Sequence, residues 1–318
     1  MNLLLIKTTL NKSNLKFRKM KKIIMSLAIL AIVLEMFSCN KNENVPVETV
    51  QKLPKATISV VKNSGTVKVH TLLAPGDMFA NTSHIIELPT QLIIVDGQFF
   101  AQYAQELKTY VDSLGKPVTR FYISHDHPDH FIGFGDAFPD VKVYALKETK
   151  DFIVQNGQSI LTERQKQLGQ IIASKLNVPK FEVNPGTEII DGVPFIFEQS
   201  NDNEAANSLV IKLPSLGIYI AQDIVYNNVH LFITGPTNGW KNALNKIKTE
   251  SSYDIILCGH GKTADKTVID NDIAYLNKVD EILNESKTKE AYKTKLLAAY
   301  PNYAAAALLD IYLPFLYK

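Results

Sequence analysis

His125, His127, Asp129 and His130 place four metal-ligand side chains within six residues, in the run His125-Asp126-His127-Pro128-Asp129-His130. In an extended segment, residues i, i+2 and i+4 share a face, so His125, His127 and Asp129 converge, while a turn at Pro128 brings His130 in from another side. Imidazole nitrogens bind zinc, iron and related ions, and a carboxylate adds negative charge that a divalent ion offsets. The competing reading is a polar loop with solvated histidines.

Such a cluster needs a frame, and the flanking sequence predicts one. Val118 to Ser124 reads as a buried strand that ends directly in the histidine run. Ahead of it, apolar and β-branched runs at Thr57 to Val61, Thr66 to Leu73, His84 to Leu88 and Gln91 to Val95 predict a strand meander, with Asn63-Ser64-Gly65 as its first turn. After Asp96-Gly97 the period changes, and Phe100, Ala104, Leu107, Val111 and Leu114 predict a helix stopped by Gly115 and Pro117. Val141 to Tyr144 reads as a short strand, and helical stretches are predicted over roughly 145 to 155 and 158 to 176. A second strand-rich block covers Glu188 to Ile190, Pro194 to Gln199, Ser208 to Leu213 and Gly217 to Ala221, and Tyr253 to Leu257 leads into Cys258-Gly259-His260-Gly261. Two β blocks with helices between and after them predict an α+β fold, with two sheets packed face to face and covered by helices. From about 264 the chain reads as helical, in two or three pieces broken near Pro301. The last piece is too apolar for a free tail and is expected to dock on the domain, with the active-site mouth as one candidate place.

Over residues 56 to 265 this arrangement resembles the metallo-β-lactamase fold superfamily, the αββα sandwich of two mixed β-sheets flanked by helices. The family carries an aspartate at the end of an early strand, matched by Asp96, and a later strand-end aspartate that bridges two metals, matched by Asp223. Its final histidine, in a Gly-His-Gly type turn, is matched by His260. The C-terminal helices, 266 to 318, lie outside the resemblance and are expected to form an extension packed on the domain. One mark departs from the pattern: no histidine stands between 131 and 229 to fill the third first-site position. Counting back from the strand Ser208 to Leu213 puts Glu204 there, with Asp202 as second candidate. A carboxylate at this point is similar to the alkylsulfatase branch, although that branch has longer chains and usually a glutamate where Asp223 stands.

The resemblance implies His125, His127 and Glu204 on one ion, Asp129, His130 and His260 on another, and Asp223 between them. It implies zinc, one or two per chain, while a carboxylate in the first site makes that site harder and admits iron or manganese. The activity implied is hydrolysis of an ester, thioester, lactone, amide or sulfate ester of a small molecule by a hydroxide held between the ions. Asp129 is the residue expected to orient it. An iron-dependent oxidoreductase of the same fold and a non-enzymatic envelope protein with a degenerate site are the alternatives.

Other residues carry weaker readings. His84 reads as a packed or surface histidine, and Cys258 as a buried strand-end cysteine. His230 is a candidate substrate contact on the rim, with an ordinary loop histidine as the alternative. Tyr226 and Trp240 are candidate wall residues.

Composition bounds the remaining classes. With 46% hydrophobic and 21% charged residues the 318-residue chain is a folded globular protein. A net charge of +2 gives no case for nucleic acid, which wants a concentrated basic face. Lys16, Arg18, Lys19, Lys21 and Lys22 precede an apolar run from Ile23 to Phe37 that stops at Ser38-Cys39, which reads as a targeting segment over 1–39. A small residue before a cysteine, then a polar tether over 40–55, resembles a bacterial lipoprotein signal with Cys39 as the acylated first residue. The protein is then expected at the cell envelope, tied to the membrane through that lipid, with Met20 as a second candidate start. A plain secretory signal and a retained anchor are the other readings of the same run. Only Cys258 remains besides Cys39, so no disulfide framework is expected in the mature protein. Oligomeric state has no signature in the sequence.

Overall fold

A strand that is apolar on both faces needs cover on both, and the predicted runs fold accordingly in the computed structural model, which describes residues 52–317. The leader read at 1–39, Cys39, and most of the tether lie outside the described residues. The first sheet contains β1 (Thr57–Asn63), β2 (Lys68–Leu73), β3 (Thr82–Glu87), β4 (Leu92–Val95), β5 (Val118–Ile123), β6 (Val143–Ala145) and β7 (Phe181–Glu182), side by side in that order. Neighbours are antiparallel from β1 to β4 and parallel from β4 to β7. The second contains β8 (Gly186–Ile190), β9 (Val193–Asn201), β10 (Asn207–Leu213), β11 (Ile218–Asn227) and β12 (Ile255–Gly261), in the order β12-β11-β10-β9-β8. Only β11 and β12 pair in parallel there.

Alternation along each strand divides its side chains between two apolar layers. Ile93, Val95 and Tyr122 from the first sheet meet Phe197, Ile211, Ile220 and Leu257 from the second in one cluster. The opposite faces, with Ile94, Phe121, Ile123, Tyr219 and Ile256, belong to a larger cluster shared with the helices. These helices are α1 (Ala101–Ser113), α2 (Pro128–Phe131), α3 (Lys147–Leu168), α4 (Asn238–Thr249), α5 (Thr267–Glu285), α6 (Lys289–Ala299) and α7 (Ala307–Leu316). The chain is therefore an αββα sandwich of two mixed sheets with a helical C-terminal region. α1 buries Tyr103, Ala104, Leu107 and Val111, as its spacing predicts. Burying a side chain such as Leu107 contributes about 1.5–3 kcal/mol. Gly115, at φ +67, ends the helix in the left-handed region that other residues avoid.

Three local expectations differ from what is observed. The helical stretches read at 145 to 155 and 158 to 176 form one helix that stops at Leu168. Gly157 lies inside it and leaves room for the Leu176 side chain, which would stand 2.7 Å from a Cβ at that position. The strand expected to end at Ala221 runs on to Asn227, and the one expected to end at Leu257 runs on to Gly261. Their parallel pairing, which continues through Tyr226 and His260, sustains both.

The C-terminal helices share the apolar core of α1 and the first sheet. Backbone bonds fix the segment before α7: Ala304 N donates to Asn228 O at 2.9 Å, His230 N to Ala304 O at 3.0 Å and Ala305 N to Gly76 O at 3.1 Å. No described helix is long and apolar enough to cross a membrane.

Candidate metal centre

The histidine run leaves β5 at the edge between the two sheets, where Leu209 N donates to Ser124 O at 2.8 Å. His127 is extended at φ −78°, ψ 140° and Pro128 opens α2, a position where the missing N–H of proline costs nothing. Extended backbone up to His127 followed by one helical turn aims His125, His127, Asp129 and His130 at one point. Asp223 reaches that point from β11. It is not at the strand's end, as the sequence predicted, but inside it, beside Gln222 at φ +46° where the register with β12 shifts. The irregularity turns the Asp223 carboxylate inward. Likewise His260 lies in β12, paired with Tyr226, and not in a turn after the strand. Gly259 next to it is required by packing, since a Cβ there would stand 1.8 Å from Asp223 Oδ1.

Between β9 and β10, Glu204 folds back into the site with 6% of its surface exposed. Asp202, the other candidate in that loop, is exposed and takes no part.

Besides the trio of Asp96, His125 and His130 behind the rings, two groups of four result, each with ligand atoms mutually within 4.8 Å: His125, His127, Glu204 and Asp223, and Asp129, His130, Asp223 and His260. Asp223 is common to both. In the first group, His127 Nδ1 is 3.0 Å from Glu204 Oε1, and His125 Nε2 is 3.6 Å from Glu204 Oε2 and 3.6 Å from Asp223 Oδ2. In the second, His130 Nε2 lies 3.3 Å from Asp129 Oδ2 and 3.2 Å from Asp223 Oδ1. His260 Nε2 lies 3.3 Å from Asp129 Oδ2 and 3.2 Å from Asp223 Oδ2. Four ligands about 2.1 Å from a central ion would stand about 3.4 Å apart, so these separations suit a tetrahedral cation.

Orphaned atoms make the same point. His125 Nε2, His130 Nε2, both Glu204 oxygens and Asp223 Oδ1 are buried and make no hydrogen bond. Buried polar atoms without partners are costly and rare, and five of them face one another here. The donor set of four imidazoles and three carboxylates fits a divalent transition metal.

Hydrogen bonds behind the rings decide which nitrogen faces the centre. His130 Nδ1 donates to Asp96 Oδ2 at 2.8 Å, and His260 Nδ1 donates to Phe79 O at 2.7 Å. His125 Nδ1 donates to Ser124 Oγ at 2.8 Å, and that hydroxyl donates to Asp96 Oδ2 at 2.6 Å. Each of the three rings therefore presents a lone pair on Nε2. Asp96, at φ +63°, also accepts from Ser124 N at 2.7 Å and from the Gln222 amide, so it anchors ligands from behind. Asp96→Asn is accordingly expected to weaken metal affinity by about 10–100-fold without unfolding the protein. Metal titration followed by calorimetry checks this, and unchanged affinity would refute the anchoring role.

Charge at the centre is strongly coupled. Burial opposes charge on His127 and His260, yet the carboxylates of Glu204 and Asp223 respectively prevail, raising the rings to about 9 and about 10. Burial pushes the Glu204 carboxyl up, to about 7, although His127 pulls the other way. Asp129 and Asp223 are held well below the usual range against their burial, chiefly by His130. Without a metal, the carboxylates are thus balanced by protons on His127, His130 and His260, which a divalent cation would displace.

His84 does not join the ligands. Fully buried, it accepts from Thr71 Oγ1 at 2.9 Å through Nδ1 and donates from Nε2 to Gln222 Oε1 at 2.9 Å, which places it behind the Gln222–Asp96–His130 chain. Burial lowers its pKa to about 4. Above pH 6.5 the ring is neutral folded and unfolded, whereas between 6.5 and about 4 only the unfolded chain takes the proton. Stability therefore falls as pH falls through that window, by about 3 kcal/mol from this residue. In urea unfolding of chelator-treated protein, His84→Gln should lose correspondingly less between pH 6.5 and 4; equal losses would contradict the assignment.

The remaining candidates sit apart. His230 was a possible substrate contact, but it is fully buried, bonded through Nδ1 to Tyr275 OH at 2.8 Å and packed on Tyr303, and does not line the pocket. The reason is the backbone pairing of its loop with Ala304, which turns the ring toward α5. Trp240 is also away from the pocket and donates to Ile224 O at 2.8 Å, whereas Tyr226 lines it, donating to Asp223 Oδ2 at 3.0 Å with its ring stacked on His260. Cys258 is buried, its thiol pushed up by burial. Sequence reasoning missed Asn81, which donates to Asp129 Oδ2 at 3.3 Å, along with Ser124 and Gln222. Ser124 and Gln222 are at least neighbours of ligands; Asn81 carries no such signal.

No family model matches the chain, and no curated protein matches it. Solved structures do. A metallo-β-lactamase from Pontibacter korlensis superposes with a TM-score of 0.54 at 18% identity, over 70% of this chain and 99% of that one. The DIM-1 metallo-β-lactamase, exposed to ceftazidime, gives 0.54 at 17% identity over 72% and 99%. The FIM-1 metallo-β-lactamase from Pseudomonas aeruginosa, in its mono-zinc form, gives 0.51 at 16% identity over 71% and 97%. At such identities the likeness establishes a shared fold, one that spans nearly the whole of those enzymes.

Proposed function

We propose that the protein is a metal-dependent hydrolase of small molecules, acting on an ester, thioester, lactone, amide or sulfate ester. The observation that carries this reading is the convergence of seven buried or half-buried ligand side chains in two groups that share Asp223. His125, His127, Glu204 and Asp223 would hold one ion, and Asp129, His130, Asp223 and His260 a second. Zinc suits the imidazole-rich set, and one fold neighbour is a mono-zinc enzyme. Glu204 in place of a histidine makes the first group harder and more tolerant of iron or manganese.

A divalent ion in such a cluster supplies Lewis acidity and makes water acidic enough to ionise near neutral pH. The chain's own residues do the rest. Asp129 has the carboxylate most open to the pocket, with 21% of its side chain exposed, and the Asn81 amide steadies its Oδ2. It stands where it would accept a proton from an attacking water and hold it for the leaving group. Tyr226 steadies Asp223 and shields one face of His260, and apolar side chains wall the space above the cluster.

Metal analysis of purified protein, with a panel of these substrates, tests the proposal. His127→Ala should lower metal content and reduce hydrolysis by about 100-fold or more. Protein without stoichiometric metal, or hydrolysis undiminished in that variant, would refute it. Iron as the native metal, with oxygen consumption on a persulfide and no hydrolysis, would assign oxidoreductase chemistry in its place. We further propose that acylated Cys39 holds the enzyme at a bacterial cell envelope; a lipid mass on the N-terminal peptide, lost in Cys39→Ala, is the expected result.

A further inference from the structure

The walls of the pocket carry chemistry that metal binding does not explain. Phe79, Phe99, Pro128, Phe232, Leu308 and Ile311 line a hollow that opens to solvent above the cluster. Every polar side chain reaching it belongs to the ligand set or is Tyr226, whose hydroxyl is engaged by Asp223. Among the described residues no lysine, arginine, hydroxyl-bearing aliphatic or amide side chain lines it. A charged group on the substrate, away from the bond being cut, would lose its water against these walls with no cation or donor in exchange. An apolar group in the same place gains by burial.

Two of the walls come from the far end of the chain. Leu308 and Ile311 lie one turn apart on α7 and so share a face, and both are buried, 7% and 2% exposed. Phe232 sets its ring against His127 at 5.5 Å and is backed by Tyr312 of α7 at 6.1 Å. α7 itself is fastened through Lys293–Asp310 at 2.6 Å and Tyr292 OH to Tyr312 OH at 3.2 Å.

We infer that, of the proposed substrate classes, the site takes an uncharged, compact carboxylic ester and not a sulfate ester, with an apolar acyl or leaving portion, and that Leu308 and Ile311 of α7 set this preference. The inference rests on the hydrolase reading of the same centre. In the reaction, water adds to the acyl carbon, the acyl carbon–oxygen bond breaks, and the departing oxygen takes up a proton.

Phenyl acetate and its anionic counterpart 4-acetoxybenzoate, compared on metal-loaded protein, provide the test. After correction for their rates with hydroxide, the neutral ester should be favoured in kcat/KM by about ten-fold or more. Leu308→Arg, which puts a cation in the wall, should narrow or invert that ratio at unchanged metal content. An anionic ester hydrolysed equally well, or a ratio indifferent to Leu308→Arg in a protein that still melts cooperatively, would overturn the inference. If neither ester is cut although metal is bound, the hydrolase reading fails, and the pocket is decided separately by binding. Ligand-detected NMR with acetanilide and 4-acetamidobenzoate then supports the inference if the neutral amide binds more tightly and overturns it otherwise.

Discussion

Asp223→Ala is expected to strip metal from both halves of the centre at once and to reduce hydrolysis by about 10³-fold or more. Asp223 is the one side chain common to the two groups, within 3.2 Å of His130 and His260 and 3.6 Å of His125. Removing it leaves each group with two imidazoles and a single carboxylate, Glu204 or Asp129, and takes away the acceptor of the Tyr226 hydroxyl. Asp202→Ala, an exposed change in the loop that carries Glu204, is the control and should leave metal content alone. Metal analysis reads both. Full occupancy in Asp223→Ala would remove the basis for a shared centre.

Removing metal with a chelator should lower the melting temperature by on the order of 10 °C. An ion at a thousand times its dissociation constant contributes about 4 kcal/mol to stability, and in a domain of this size each kcal/mol moves the midpoint by about 2–4 °C. The structural reason is the set of buried atoms without partners on His125, His130, Glu204 and Asp223. The metal-free protein should also respond to pH in its own way. Its His127 and His260 have pKa values raised to about 9 and about 10, because carboxylates outweigh their burial. Their stabilisation is complete below pH 6.5 and is lost as pH rises through 9 to 10. Alkaline conditions should therefore destabilise the chelated protein more than the loaded one. Identical melting curves with and without chelator would show that the cluster holds no metal.

Some of this was legible in local sequence. The run from His125 to His130 could be read because strand alternation and a proline turn act over a few residues, and α1 because its apolar residues recur at helical spacing. Glu204 and Asp202, two residues apart in one loop, could not be separated by spacing; the loop between β9 and β10 turns one inward and the other to solvent. Asp223 was expected at a strand end and lies inside the strand, since an irregularity at Gln222 depends on pairing with β12. His230 misled for a similar reason: its distance from Asp223 in sequence is short, but the pairing of its loop with Ala304 carries the ring away.

By itself the sequence determined which chemistry was available: imidazoles and carboxylates concentrated after one strand, and an alternation that builds two sheets and buries them. These follow from composition and from periodicities only a few residues long. Tertiary structure alone decided which nitrogen of each ring faces the centre, because Asp96, Ser124 and the Phe79 carbonyl reach those rings from other elements. It also decided what the substrate meets, since Leu308 and Ile311 arrive at the pocket from the last helix, nearly two hundred residues after His127. Contacts at that separation depend on how whole layers pack, and no local pattern encodes them.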